Sequence, residues 1–184
     1  MPSPALSCAG DASPWIRRFA PLVPAGGRVL DLACGGGRHA RLFLEGGAAV
    51  TCLDRDLSLV ADLAGRAELI AADLEDGSSW PLAGRQFDAV VVVNYLHRPL
   101  LPALVEAVAP GGLLLYQTFA AGHQRHARPR NPDHLLQPGE LLAAVAGCLQ
   151  VVAYEAGQDP RPGCPTVIER ICAARTAEPV PLYP

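Results

Sequence analysis

Apolar residues along this chain switch repeatedly between two rhythms. The run Phe87-Asp-Ala-Val-Val-Val-Val93 has little alternation and many β-branched residues, which suits a central strand covered on both faces. Comparable runs lie at 29–30, 48–53, 68–72, 113–119, 149–154 and 166–173. Between several of them apolar residues fall at helical spacing. The stripes are Ala40, Phe43 and Leu44, then Leu57, Val60, Ala61 and Leu63, then Leu100, Leu101, Leu104, Val105 and Val108. Strands alternating with helices predict an α/β fold. Ser13 and Pro14 open a first short helix with Trp15, Ile16 and Phe19 on its apolar face. Asp56 caps a helix that Gly65 ends, Pro99 opens another that Ala109-Pro-Gly-Gly112 ends, and Pro138-Gly-Glu140 begins one through Val145. The connection 75–86 is broken by Gly77, Pro81 and Gly84, so no regular helix is expected there.

The chemistry concentrates after the first run. Val29 and Leu30 lead to Asp31, then to Ala33-Cys34-Gly35-Gly36-Gly37, and a helix is expected from about Gly37 or Arg38. Glycines let the backbone turn sharply and approach a ligand, and in open α/β sheets ligands sit just beyond the carboxyl ends of the strands. Gly35-x-Gly37-x-x-Ala40 satisfies the dinucleotide pattern, and Asp54, about 20 residues on, is placed to hold ribose hydroxyls. Asp31 separates two readings. A pyrophosphate at the helix N-terminus would be repelled by that carboxylate, whereas a ligand carrying an ammonium there would be attracted. S-adenosyl-L-methionine has a ribose, an adenine and an ammonium, so the turn favours it over a nicotinamide cofactor.

Val29-Leu-Asp-Leu-Ala-Cys-Gly-Gly-Gly-Arg38, with Asp54 and Ala109-Pro-Gly-Gly-Leu-Leu-Leu115, resembles the class I S-adenosylmethionine-dependent methyltransferases. The resemblance covers residues 28–119 best and is nearest to small bacterial stand-alone enzymes of the tellurite-resistance group. It implies a Rossmann-like, doubly wound sheet of seven mostly parallel strands with an antiparallel last strand and helices on both faces. It implies cofactor contacts from Asp31, Ala33, Gly35, Gly37, Asp54, Arg55 and Asn94. Asp73 would read the adenine amine and the Leu74 backbone the ring. Ala33 departs from the pattern, standing where the family usually has its first glycine. His97 is the candidate base and Tyr95 the residue to orient an acceptor; the alternative for His97 is a structural cap at a helix entrance. The long stretch 120–137 holds His123, Arg125, His126, Arg128, Arg130 and His134, and reads either as an acceptor lid for an anionic compound or as a solvated basic loop.

Half the residues are apolar, 18% are charged and the net charge is −3, which describes one folded domain without the footprint of a nucleic-acid binder. The expected organisation is a flexible leader at 1–12, one domain at 13–175 and a flexible tail at 176–184. No apolar run spans a bilayer and the first residues lack a signal-peptide pattern, so a cytoplasmic location is expected. The six cysteines show no C-x-x-C pair and no histidine at metal-finger spacing, so buried reduced thiols are expected and no metal site. Cys34 lies in the ligand turn, but direct methyl transfer needs no enzyme-bound intermediate, so it is not expected to act as a nucleophile. The reading is methyl transfer to a small-molecule acceptor, leaving S-adenosyl-L-homocysteine. The alternatives are action on RNA or protein, or a non-catalytic S-adenosylmethionine-binding regulator.

Overall fold

A computed structural model describes residues 10–159 and 165–181. Residues 1–9 of the expected leader, part of the loop between the last two strands, residues 182–184, Cys8 and Cys164 lie outside the described residues. Seven strands form one sheet: β1 (Arg28–Leu32), β2 (Ala49–Asp54), β3 (Glu68–Ala71), β4 (Phe87–Val93), β5 (Val108–Phe119), β6 (Gln150–Asp159) and β7 (Thr166–Ala174). Their spatial order is β3-β2-β1-β4-β5-β7-β6. Neighbours from β3 through β5 run parallel, while β7 is antiparallel to both β5 and β6. The order reverses between β1 and β4, which is the switch point where a crevice opens at the carboxyl ends of the strands.

Successive residues of each strand point to opposite faces, so the sheet builds two cores. Leu30, Leu32, Val90, Val92, Leu114 and Tyr116 face one side, where α3 (Leu101–Glu106) and α4 (Glu140–Val145) add Leu104, Val105, Leu141 and Val145. Val29, Val50, Cys52, Val91 and Leu115 face the other, against α1 (Pro14–Phe19) and α2 (Arg38–Glu45). The unalternating apolar runs are thereby explained, because both faces of the central strands are covered. Ser13 caps α1 by accepting from the Trp15 amide (3.2 Å), and its hydroxyl donates to Gln117 Oε1 (2.8 Å). Ala12 is buried, and Val180 packs against the second core.

Two elements differ from the expectation. Ser58–Leu63 is a 3₁₀-helix rather than an α-helix, although Asp56 does accept from the Ser58 amide (2.9 Å). Leu57, Val60 and Leu63 recur every third residue, and a three-per-turn helix puts all of them on the core side. The stripe ending in Val108 also stops early. Arg98–Leu100 is a 3₁₀ turn, α3 ends at Glu106, and Val108 already belongs to β5. Arg175 causes this: its guanidinium donates to the carbonyls of Val105 and Val108 (2.7 Å each), and its backbone pairs with Gly111 and Gly112.

Candidate functional site

Two hollows open over the carboxyl ends of the strands, and Ala33 borders both. The first, of about 390 Å³, is lined by Asp54, Arg55, Asp73, Leu74, Glu75, Tyr95 and His134. The second, of about 460 Å³, is lined by the turn residues Cys34, Gly35 and Gly36, by Arg38, His39 and Arg41 of α2, and by Val93 and Asn94 beyond β4. Together they form one groove with an acidic half and a basic half. A larger hollow of about 540 Å³ lies at the amino ends of the strands, but Arg85 and Glu68 already satisfy each other there at 2.6 Å.

The turn between β1 and α2 is built by backbone strain and two carboxylates. Ala33 (φ 51°) and Asn94 (φ 59°) are the non-glycine residues with positive φ among those described, and both border the groove. Such strain costs about 1–3 kcal/mol per residue and gathers at functional sites. Gly37 (φ 69°) has a different task. A Cβ there would meet Val60 Cγ1 at 2.6 Å, so glycine lets α2 start against the 3₁₀-helix. Gly37 is buried and does not line either hollow. Asp54 ties the turn to β2, accepting from the Gly35 amide (2.8 Å) and the Asp56 amide (3.1 Å).

Asp31 lies beneath the turn rather than at its surface, 1% exposed. Its register partners Cys52 and Val91 flank it within the sheet, and Oδ2 accepts from the Ala40 amide (2.9 Å). Burial pushes its pKa up to about 7, against the pull of that hydrogen bond and of the Arg38 charge. A desolvated carboxylate of this kind gains most from an added positive charge. The buried His39, which sequence reasoning missed, stays neutral: burial lowers its pKa to about 3, and Nε2 accepts from the Ser13 amide (3.2 Å). Its signal was its spacing, four residues before the buried Phe43 on the same helix face.

Tyr95 lines the acidic half, and its hydroxyl is buried without a hydrogen-bond partner. Burial, then the Glu75 charge, raises its pKa. His97 lines neither hollow; it is half-buried at the entrance to the 3₁₀ turn before α3. Cys34 borders the groove, but its hydrogen bond to Cys52 and its burial hold the thiol in the protonated form. Cys34, Cys52 and Cys172 are buried free thiols, whereas Cys148, expected to be buried, is exposed because it lies in the turn after α4.

Residues 120–137 are pinned rather than loose. Ala121 and Leu136 amides donate to Leu136 and Phe119 carbonyls (2.9 Å each). His123 is 1% exposed and stacks on Phe119 at 4.2 Å. Its Nδ1 accepts from the Val167 amide, so Nε2 carries the proton donated to the Arg128 carbonyl (2.9 Å). Arg125, His126, Arg128 and Arg130 stay exposed.

Residues 29–112 match the methyltransferase domain family. A ubiquinone biosynthesis O-methyltransferase from Ralstonia nicotianae is 37% identical over 115 residues, covering 57% of this chain and 48% of the relative. The chain thus spans about half the length of that relative. TehB from Haemophilus influenzae superposes with a TM-score of 0.69 at 17% identity, over 88% of this chain and 61% of TehB. A Burkholderia thailandensis 1,6-didemethyltoxoflavin-N1-methyltransferase superposes with a TM-score of 0.61 at 18% identity, over 89% of this chain and 79% of that one. Residues 29–112 thus match a methyltransferase domain, and the seven-stranded sheet around them has the same fold as these methyltransferase structures.

Proposed function

We propose that the groove holds S-adenosylmethionine and that the protein transfers its methyl group to a small-molecule acceptor. The observation that carries this reading is the joining of the two half-grooves at Ala33, with the buried Asp31 under the basic half and Asp54 and Asp73 along the acidic half. The carboxylate of an amino-acid end suits Arg38, and its ammonium suits the charge of Asp31, which acts from beneath the turn and lines neither hollow. A ribose suits Asp54, and an adenine suits Asp73 and Leu74. Gly35 and Asn94 border the methionine side. Arg55 flanks the ribose side. The Ralstonia relative is by its name an O-methyltransferase, and the Burkholderia structure holds a small heterocycle with S-adenosylhomocysteine. Both support a small acceptor.

When bound, the cofactor supplies an electrophilic methyl group. The chain then has mainly to align the acceptor with it, and such alignment contributes on the order of 7–11 kcal/mol. Tyr95, with its unpaired hydroxyl, is the residue placed to orient an acceptor. His97 has no such position. The test is a screen of hydroxyl, amine and carboxylate compounds for release of S-adenosylhomocysteine, with Asp54→Ala as control. Turnover lost in the control supports the reading, and turnover equal in both sinks it.

A second reading, action on RNA, has one observation behind it: Arg125, Arg128 and Arg130 are exposed and without a carboxylate partner among the described residues. RNA affinity falling steeply with salt would favour it. The reading includes a cytoplasmic location, supported by the three buried free thiols. No described helix is long and apolar enough to cross a membrane.

A further inference from the structure

His134 lines the acidic half of the groove together with Asp54, Asp73, Leu74 and Tyr95, although it comes from the segment after β5, far along the chain. Its side chain is exposed, yet the backbone around it is fixed from several directions. Asn131 caps the turn, its Oδ1 accepting from the Asp133 amide (3.0 Å), and Pro132 sets the first position. Leu135 and Leu136 are buried immediately after it. Arg98 does the rest. Its guanidinium donates to the Asp133 carbonyl (2.7 Å) and the Leu135 carbonyl (2.8 Å), the two carbonyls on either side of His134. The same group pairs with Glu140 at 2.6 and 3.0 Å. Arg98 lies three residues after Tyr95, so one side chain joins the loop after β4 to the segment after β5. The planar guanidinium fork can serve two carbonyls and a carboxylate at once, which a lysine cannot.

We infer that His134 covers the adenosine half of the bound cofactor, and that Arg98 is the positioning residue that holds it there. This rests on the cofactor reading given under Proposed function. His134 lines the hollow of the residues assigned to ribose and adenine, and not that of the methionine side. A flat ring at that place can lie on the base or hydrogen-bond to the sugar, and either contact is made to adenosine itself. Aromatic contacts to a base are worth roughly five- to tenfold or more in affinity.

The test is calorimetric titration of S-adenosylhomocysteine, and of adenosine alone, into the full chain. His134→Ala is a surface change and is expected to weaken both ligands by about five- to tenfold. Arg98→Met is expected to weaken both by a similar factor, Arg98→Lys by less, and His134→Ala is expected to add little in the Arg98→Met background. A merely structural Arg98 would lower the melting temperature while leaving the affinities of the folded protein unchanged, which would overturn the positioning role. Unchanged affinity in His134→Ala, or a loss seen only for an acceptor, would overturn the adenosine contact. If the wild-type chain bound neither ligand, the cofactor reading would fail instead, so the two failures are distinguishable.

Discussion

The two walls of the groove are built in opposite ways. The wall from β1 through β2 is local: Asp31, the glycine turn and Asp54 lie within 24 residues, and short backbone bonds such as Gly35 to Asp54 close it. The wall from the segment after β5 depends on remote partners. Arg98 reaches residues 35 to 42 positions away, and His123 is held through Val167, 44 positions away. On the cofactor reading proposed above, the local wall meets the methionine and ribose parts of the ligand. With the further inference, both walls meet the cofactor, the second through His134 as Arg98 holds it.

The largest effect should come from the local wall. Asp54→Ala removes two backbone hydrogen bonds to a charged acceptor and the proposed ribose partner, so S-adenosylhomocysteine affinity should fall by about 100-fold or more in a calorimetric titration. Gly37→Ala comes next. It adds a Cβ 2.6 Å from Val60 Cγ1 at a positive φ, and should cost about 2–4 kcal/mol by chemical denaturation. Ala33→Gly is its converse: relief of strain at φ 51°, less the entropy of glycine, should gain about 0.5–1 kcal/mol.

Asp31 gives the pH dependence. Its folded pKa of about 7 lies above the ordinary carboxylate range, so the folded chain keeps a proton that the unfolded chain has released. Stability of the free protein should therefore fall as pH rises from about 4 to about 7. The ammonium of the ligand's amino-acid end favours the ionised carboxylate, so affinity for S-adenosylhomocysteine should rise over the same interval and level off above it. Asp31→Asn should raise the melting temperature at pH 8 and weaken ligand binding. The smallest effect is expected for His97→Ala, which should leave kcat within about threefold, since the side chain lines neither hollow.

The same contrast governs what could be read from the sequence. Strands, their order of appearance and the turn with its two acids were legible, because apolar runs, glycine spacing and a carboxylate at a strand end are local signals. Asp31 was found but misplaced in depth, since spacing says where a residue falls along a strand and not how much covers it. His39 hid in a helix stripe read only for its aliphatic residues. His134 was present in the stretch 120–137 and Arg98 directly follows the candidate base His97, yet nothing local tells that an arginine after β4 will clamp two carbonyls after β5. The 3₁₀ turn at Ser58–Leu63 was mistaken because a stripe of that length fits both helix types until the third-residue repeat is counted.

The central claim is that this groove, with a buried acid under one end, takes a nucleoside bearing an amino-acid end in place of a dinucleotide. Titration of the wild-type chain with S-adenosylhomocysteine and, separately, with nicotinamide adenine dinucleotide tests it most directly. The account predicts one saturating site for the first and none for the second. Saturable dinucleotide binding with no response to S-adenosylhomocysteine would contradict it.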